Sequence, residues 1–490
     1  MQDFVGIEDR NPPTRAVNPT TKPVSAPSSD APTTPAGVRP LVMKFGGTSV
    51  ADADRLRLVA ERVRAAIPAP CVVVLSATSG TTDRLLEIAR AACAGDLARA
   101  REGLRAVIER HRGIGHALFG DSAPGMPVLE ATFAELESAV AKALSNAQTS
   151  PSHVDAIAAC GERLTTALLA AHLTDLGIAV ERVDARRLLR TDDVFGTARP
   201  DKQATARLCA VELSGPLAAG RVVVTEGYIG STEDGRTTTL GRGGSDYSAS
   251  LLGAAIAAQE VQIWTDVEGV RTADPRVVAD AQPVELLSFG EAAELAAFGA
   301  KVLHPATIQP AVEADVPVTV RHTLHPTGRY TTITGRIAEQ RAVTAVASRA
   351  PITVLTITSS RMLAQPGFLA RLFEVFARQR VSVDVVATAE VAVSLTVDGD
   401  APIEALAREL AAFAHVKVLR DRALVALIGE RLRRTRSVAA RVLEALSDVE
   451  IELMTFGANE SNLSLIVPRE NEREVIRRLH RSFFEGGRGR

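Results

Sequence analysis

A β-branched, apolar run at residues 221–229, RVVVTEGYI, leads toward the loop TTTLGRGGSDYSAS at 237–250. A small-residue, apolar helical pattern at 247–258 leads out of it. Strand, glycine loop and helix in that order are the repeating unit of a parallel sheet covered by helices. Gly241, Gly243 and Gly244 carry no side chain to keep an anion away from backbone N–H groups. The start of the following helix adds its positive dipole end. Arg242 can grip a carboxylate or phosphate through two parallel hydrogen bonds. Asp246, at the helix entrance, can cap the helix or orient a cation. The same residues can also make an ordinary surface turn with a helix cap, so the rest of the chain must decide.

The same layout recurs upstream. LVMKFGGTSV at 41–50 reads as a strand, a glycine turn and the start of a helix over 52–66. Lys44 ends the strand, and Gly46 and Gly47 precede the helix in a phosphate-cradle arrangement that is not a Walker A loop. A second strand, 71–75, runs into SATSGTTD at 76–83, whose hydroxyls suit a small polar ligand. An Ala/Leu/Arg-rich helical stretch follows to about residue 147 and reads as scaffold or lid. Residues 156–159 read as a strand leading into the helix 161–173. Glu162 sits in the first turn of that helix, either as a dipole-favourable surface residue or as a buried carboxylate facing an ammonium. Further strands fall at 180–183, at a run ending on Trp264, and at 318–321, and a helix at 289–302. Residues beyond strand C-terminal ends are placed for a ligand in such sheets, which singles out Thr265, Asp266, Arg271 and Arg276. Six lysines stand among 56 Lys and Arg residues. Where nearly every cation is arginine, a retained lysine points to a need for a compact ammonium. Lys44 and Lys301 both fall in glycine-bearing stretches.

From residue 343 the texture changes. Strand, helix, strand, strand, helix, strand is read over 354–357, 368–380, 383–386, 391–397, 403–413 and 416–419. It repeats as strand 424–428, helix 438–446, strands 451–456 and 463–467, and helix 472–484. This is a tandem βαββαβ repeat with ferredoxin-like topology. The second copy lacks a final strand, which 343–348 could supply, interlocking the two units. Residues 1–40, rich in Pro, Ser and Thr, read as a disordered tail with neither the apolar core of a secretory signal nor the acid-poor character of a transit peptide. A net charge of −2 leaves no electrostatic footprint for nucleic acid, and no apolar run is long enough to cross a membrane. Cys71, Cys93, Cys160 and Cys209 lie far apart among apolar residues. This fits reduced thiols in a cytoplasmic protein, with neither a disulfide framework nor a metal site.

Taken together, VMKFGGTSV, the GE of CGERL, RTDDVFG, GYIGSTEDGRTTTLGRGGSDYSA, IWTDVEGVRTADPRV and FGAKVLHPAT resemble the aspartate kinase family, in that family's order and across nearly all of the chain outside the tail. The resemblance implies a three-layer αβα amino-acid-kinase fold at 41–335, followed by two ferredoxin-like ACT regulatory domains at 350–420 and 421–490. It implies transfer of the ATP γ-phosphoryl group to the β-carboxylate of L-aspartate, with Mg²⁺ carried mainly on the nucleotide phosphates. Lys44 would neutralise the transferring group beside the N–H groups of Gly46 and Gly47, held in place by Asp246. Arg242, with Gly243, Gly244 and Ser245 in the same loop, would bind the substrate α-carboxylate. Glu162 would take its ammonium, and Ser76 and Thr82 would complete the pocket. Thr265, Asp266, Arg271, Arg276, Lys301 and Val302 would hold ATP. The C-terminal units look most like the lysine-inhibited, monofunctional branch. There Met362, Gly367, Phe368, Leu369, Ser382, Val383, Asp384, Thr388 and Glu390 match an effector site shared with a partner chain, which implies a homodimer or larger assembly. Ala364, Gln365 and Ala389 depart from that branch, and core packing of a small α+β unit is the lesser alternative for Met362, Phe368 and Leu369. Two other readings stand beside this one: a kinase of the same superfamily acting on another carboxylate, and an amino-acid-sensing protein with an inactive kinase domain.

Overall fold

The computed structural model describes residues 39–120, 125–145, 150–298, 305–335, 337, 341–360, 362, 366–457 and 459–485. The tail ahead of residue 39, Lys301, Val302, Ala364 and Gln365 lie outside them.

The N-terminal part begins with β1 (Leu41–Phe45), α1 (Ala53–Ala66) and β2 (Cys71–Leu75). The helices α2 (Thr81–Cys93), α3 (Leu97–Phe119), α4 (Gly125–Ser145), α5 (Pro151–Ala158) and α6 (Cys160–Asp175) follow. Next come β3 (Val180–Arg182), α7 (Lys202–Ala218), β4 (Val222–Glu226), β5 (Ile229–Ser231), β6 (Thr237–Thr239), α8 (Gly244–Ala255) and β7 (Glu260–Thr265). β8 (Leu286–Ser288), α9 (Phe289–Ala297), α10 (Pro305–Glu313), β9 (Val318–His322) and β10 (Thr331–Thr334) complete it.

Eight of these strands form one sheet in the order β3-β4-β2-β1-β7-β9-β10-β8, parallel except where β10 meets β9. Strands as apolar as CVVVL are buried along their whole length because helices cover both faces. The alternation is explicit. Val42, Val72, Val74, Val223 and Ile263 fall in one core, while Met43, Phe45, Val73, Leu75 and Val224 fall in the other. Helix starts follow local chemistry: Asp52 accepts from the Arg55 N–H at 2.9 Å, and Asp201 from that of Ala204 at 2.9 Å.

Two expectations are corrected. Residues 156–159 are helical, as the end of α5 and its junction with α6, where α5 packs between α2 and α4 and against β6. The run 221–229 is two strands, β4 and β5, broken where Tyr228 takes a left-handed φ of 69°. β5 then leaves the main sheet to pair with β6 as a hairpin.

The C-terminal part holds β11 (Ala345–Thr358), α11 (Phe368–Arg378), β12 (Val386–Thr388), β13 (Ala392–Asp398), α12 (Ile403–Ala411) and β14 (His415–Ile428). α13 (Val438–Ala445), β15 (Leu453–Phe456), β16 (Asn462–Pro468) and α14 (Glu472–His480) follow. One six-stranded sheet runs β12-β13-β11-β14-β16-β15. β11 and β14 are long strands shared by both units. Ala345–Arg349 pairs with the second half of β14, and Val354–Thr358 with the first half, through a register shift in between. The strand expected at 383–386 lies later, at β12, and the final helix ends at His480 in a wide turn to Glu485.

Candidate active site

β1 lies at the centre of the eight-stranded sheet. The chain steps to β2 on one side and later returns to β7 on the other, the crevice where open α/β sheets bind ligands. Lys44, near the C-terminal end of β1, is 8% exposed, and its Nζ lies 2.6 Å from Asp246 Oδ1. Asp246 therefore orients a cation rather than capping its helix; the cap position of α8 is Gly243, left-handed at φ 74°.

The turn after β1 folds against its neighbours. The Gly46 N–H donates to the Trp264 carbonyl at 3.1 Å, so it is not free for a phosphoryl group. Gly46 contributes space instead: a Cβ there would sit 3.4 Å from Lys44 Nζ. A Cβ on Gly47 would lie 2.9 Å from the Ala77 carbonyl oxygen, which brings this turn flush with the loop after β2.

In that loop Ser76 donates its N–H to Phe45 O at 3.1 Å, and Ser76 and Thr82 are both part-buried. Behind them Thr78 Oγ1 lies 2.6 Å from Thr81 Oγ1 and 3.2 Å from Nε2 of the fully buried His111. His111 Nδ1 meets the Val107 carbonyl at 2.8 Å, and burial pushes the imidazole pKa down to about 4. Glu162, on the first turn of α6, is 3% exposed, and its Oε2 is buried without a partner. Burial pushes its carboxyl up to about 8; hydrogen bonds from the Ala77 and Glu162 N–H groups oppose this, and nearby Glu226 adds to it. A buried carboxyl with an unfilled acceptor calls for a cation.

The glycine loop closes the other side. Arg242 is exposed and has no partner among the described residues. A Cβ on Gly244 would lie 2.7 Å from the Tyr228 ring, and one on Gly227 2.7 Å from Ser245 Cβ, so glycine here permits close packing. Gly244 donates its N–H to Gly241 O at 3.0 Å. Ser245 and Asp246 present first-turn N–H groups, which a helix leaves without intrahelical partners.

Beyond β7, Thr265 Oγ1 donates to Asp266 Oδ1 at 3.1 Å, and Asp266 is exposed. The two arginines expected at the nucleotide are engaged locally. Arg271 donates to Ala281 O at 2.9 Å and reaches Glu268 at 3.3 Å, and Arg276 forks onto Asp274 with a closest contact of 2.6 Å.

The effector candidates are spread along β12 and the start of α11: Asp384 lies beside Thr396 at one end of β12, and Thr388 and Glu390 lie at the turn into β13 at the other. Phe368 is 8% exposed, in the core with Leu372 and edge-on to Phe413 at 5.8 Å, so packing accounts for it. Met362 packs on the same core, Gly367 opens α11 at φ 92°, and Val383 is half-buried. Leu369, Ser382, Thr388 and Glu390 are exposed. Asp384 is already held by Arg349, which also approaches Asp398 at 3.7 Å. Sequence reasoning missed the Thr78–His111 contact, Glu226 at the end of β4, and Asp155 just ahead of the segment read as a strand.

The amino acid kinase family model matches residues 39–322, and an ACT domain model matches 425–483. The chain is 40% identical over 458 residues to the lysine-sensitive aspartokinase 3 of Escherichia coli K12, covering 91% of this chain and 99% of that one. It is 36% identical to the chloroplastic aspartokinase 3 of Arabidopsis thaliana, covering 91% and 81%. Among solved structures it is similar to E. coli aspartokinase III in complex with lysine and aspartate (T-state), with TM-score 0.78, 38% identity, and 91% and 99% coverage. The complex of that enzyme with aspartate and ADP (R-state) gives TM-score 0.75 at the same identity and coverage.

Proposed function

The chain belongs to the aspartokinases, within the amino acid kinase family, and we propose that it transfers the γ-phosphoryl group of ATP to the β-carboxylate of L-aspartate, giving 4-phospho-L-aspartate, under feedback inhibition by lysine. The observation that carries the choice of substrate is Glu162, a buried carboxylate with an unfilled acceptor in the same crevice as the Lys44–Asp246 pair. An α-amino acid supplies the missing ammonium there, and Arg242 across the crevice is uncommitted for its α-carboxylate. Ser76 and Thr82, part-buried just after β2, would complete the pocket.

Phosphoryl transfer depends on positioning and charge neutralisation more than on covalent help. Lys44 presents a single ammonium to the transferring group and is fixed in direction by Asp246. The N–H groups of Gly47 and of the first turn of α8 add fixed dipoles. A β-carboxylate is ionised near neutral pH, so the nucleophile needs no general base. Mg²⁺ would come in on the ATP phosphates and offset their charge, and the exposed Asp266 of the candidate nucleotide loop would be placed to help hold it. Arg271 and Arg276 would have to exchange Glu268 and Asp274 for phosphate.

The chain divides into a catalytic part at 41–335 and ACT units at 350–420 and 421–490 that share strand 343–348. Lysine would bind at the exposed edge near Asp384, with its ammonium competing with Arg349 for that carboxylate. The sheet edges β12 and β15 carry exposed Val386, Met454 and Phe456, and α11 adds Leu369 and Phe373. Open apolar edges need cover, and a second copy of the chain supplies it; light scattering that reports a monomer with and without lysine would remove this assembly. Cys71, Cys160 and Cys209 are buried free thiols, which suits the cytoplasm.

The test is ATP-dependent aspartyl phosphate formation trapped with hydroxylamine, with and without lysine. Activity abolished by lysine is the expected result. Activity indifferent to lysine would leave the kinase and discard the effector site, and ATP binding without turnover of aspartate would discard the substrate.

A further inference from the structure

Asp155 belongs to none of the recognised motifs. It lies on α5, 2% exposed, and one oxygen of its carboxylate holds two loops at once. Oδ2 accepts the Gly196 N–H at 2.9 Å and the Thr239 N–H at 2.7 Å. Gly196 is in the RTDDVFG stretch, and Thr239 ends β6, three residues before Arg242.

The two loops are fastened again alongside. Ala198 N–H donates to Thr239 O at 2.9 Å, and the second loop is also tied to the β4–β5 junction, where Leu240 N–H donates to Tyr228 O at 2.9 Å. Gly241, left-handed at φ 76°, packs so closely on the first loop that a Cβ would lie 3.1 Å from Gly196 O. Arg242 itself is exposed and has no partner among the described residues. Its reach into the crevice is therefore set by its backbone, and the backbone is set by this seam. A buried carboxylate is costly, and an apolar residue could fill the space on α5. What the carboxylate offers is a charged acceptor, stronger than a neutral one, for two backbone donors that would otherwise be buried unpaired.

We infer that Asp155 is a positioning residue for substrate recognition: by clamping the Gly196 and Thr239 amides together it holds Arg242 where the α-carboxylate of the amino acid substrate binds. This rests on the reading of Arg242 given above.

The experiment is a double-mutant cycle on the full chain, with Asp155→Asn, Arg242→Ala and the pair. Steady-state kinetics are run for aspartate and for ATP, and melting temperatures are recorded. Asparagine keeps the size and one acceptor and removes the charge, so the fold is retained. Expected are a rise in the aspartate KM of about tenfold for Asp155→Asn, an unchanged ATP KM, and no further rise when Asp155→Asn is added to Arg242→Ala. An unchanged aspartate KM in Asp155→Asn, or effects that multiply in the pair, would overturn the inference and leave Arg242 in place. An unchanged aspartate KM in Arg242→Ala would instead overturn the reading of Arg242, and this inference with it.

Discussion

At the scale of single residues the site is governed by what burial does to charge. Lys44 Nζ has a carboxylate 2.6 Å away, whereas Glu162 has no cationic partner among the described residues and burial pushes it up to about 8. The sign of the consequence is fixed. Below that value the empty site holds a proton on Glu162, and the substrate ammonium must displace it. Above it the carboxylate is ready, and the ammonium of the amino acid is still charged. The kcat/KM for aspartate should therefore climb about tenfold per pH unit up to about pH 8 and then level off. Glu162→Gln should lower it and flatten the profile. Aspartate saturation curves over that range check both; a wild-type profile flat from about pH 6 would show that Glu162 does not titrate in the free enzyme. The residues of this site were legible where chemistry and motif coincide, as at Lys44, Arg242 and Glu162. Asp155 and His111 were not, because a buried carboxylate clamping backbone amides and a neutral imidazole propping a threonine carry no spacing signal. The local partners of Arg271 and Arg276 were hidden for the same reason: Glu268 and Asp274 are neighbours in sequence, yet nothing in the sequence says they are taken.

At the scale of elements, the sheet strands were legible because CVVVL and VVVTE are apolar on both faces, as a strand between two helix layers must be. Residues 156–159 were misread because four apolar residues satisfy a period of 2 and of 3.6 equally well. The break at Tyr228 was invisible because its cause is tertiary: Gly227 is pressed against Ser245 from a helix seventeen residues on. Close packing of turns also separates two glycines that look alike in sequence. Gly47→Ala would drive a methyl to 2.9 Å from the Ala77 backbone oxygen, where nothing flexible can yield. Gly46→Ala meets only the side-chain end of Lys44 at 3.4 Å and Trp264 O at 3.7 Å, both near ordinary contact distance. Gly47→Ala should cost about 1–3 kcal/mol of stability and lower kcat by shifting the Ser76–Thr82 loop; Gly46→Ala should unfold near the parent temperature. Thermal melts and steady-state kinetics on the two variants check this, and the reverse order would contradict the packing.

At the scale of the whole molecule, the regulatory sheet is joined to the catalytic part at the very loop proposed to hold ATP. Val346 donates its N–H to Thr272 O at 2.8 Å, and His480 Nε2 lies 2.9 Å from Thr272 Oγ1. From α14, Arg473 donates to Arg276 O at 2.8 Å and Arg477 to Val277 O at 3.2 Å. Because β11 and β14 run through both regulatory units, a shift at the effector end near Asp384 travels along a continuous strand to Val346 and on to this loop. No such fastening appears among the described residues between the regulatory sheet and Glu162 or Arg242. Lysine should therefore raise the apparent KM for ATP more than that for aspartate. By reciprocity, ATP should weaken lysine binding by the factor by which lysine weakens ATP binding. Replacing Arg473 and Arg477 together by alanine removes two of the four links without touching the crevice, so kcat without lysine should stay near the parent value while the effect of lysine on ATP shrinks severalfold. ATP saturation curves with and without lysine, on parent and variant, decide it. An ATP KM indifferent to lysine would mean that regulation reaches the site by another route, and an undiminished effect in the variant would place the coupling in the remaining links, at Thr272 or where Asn459 and Asn462 meet Glu294.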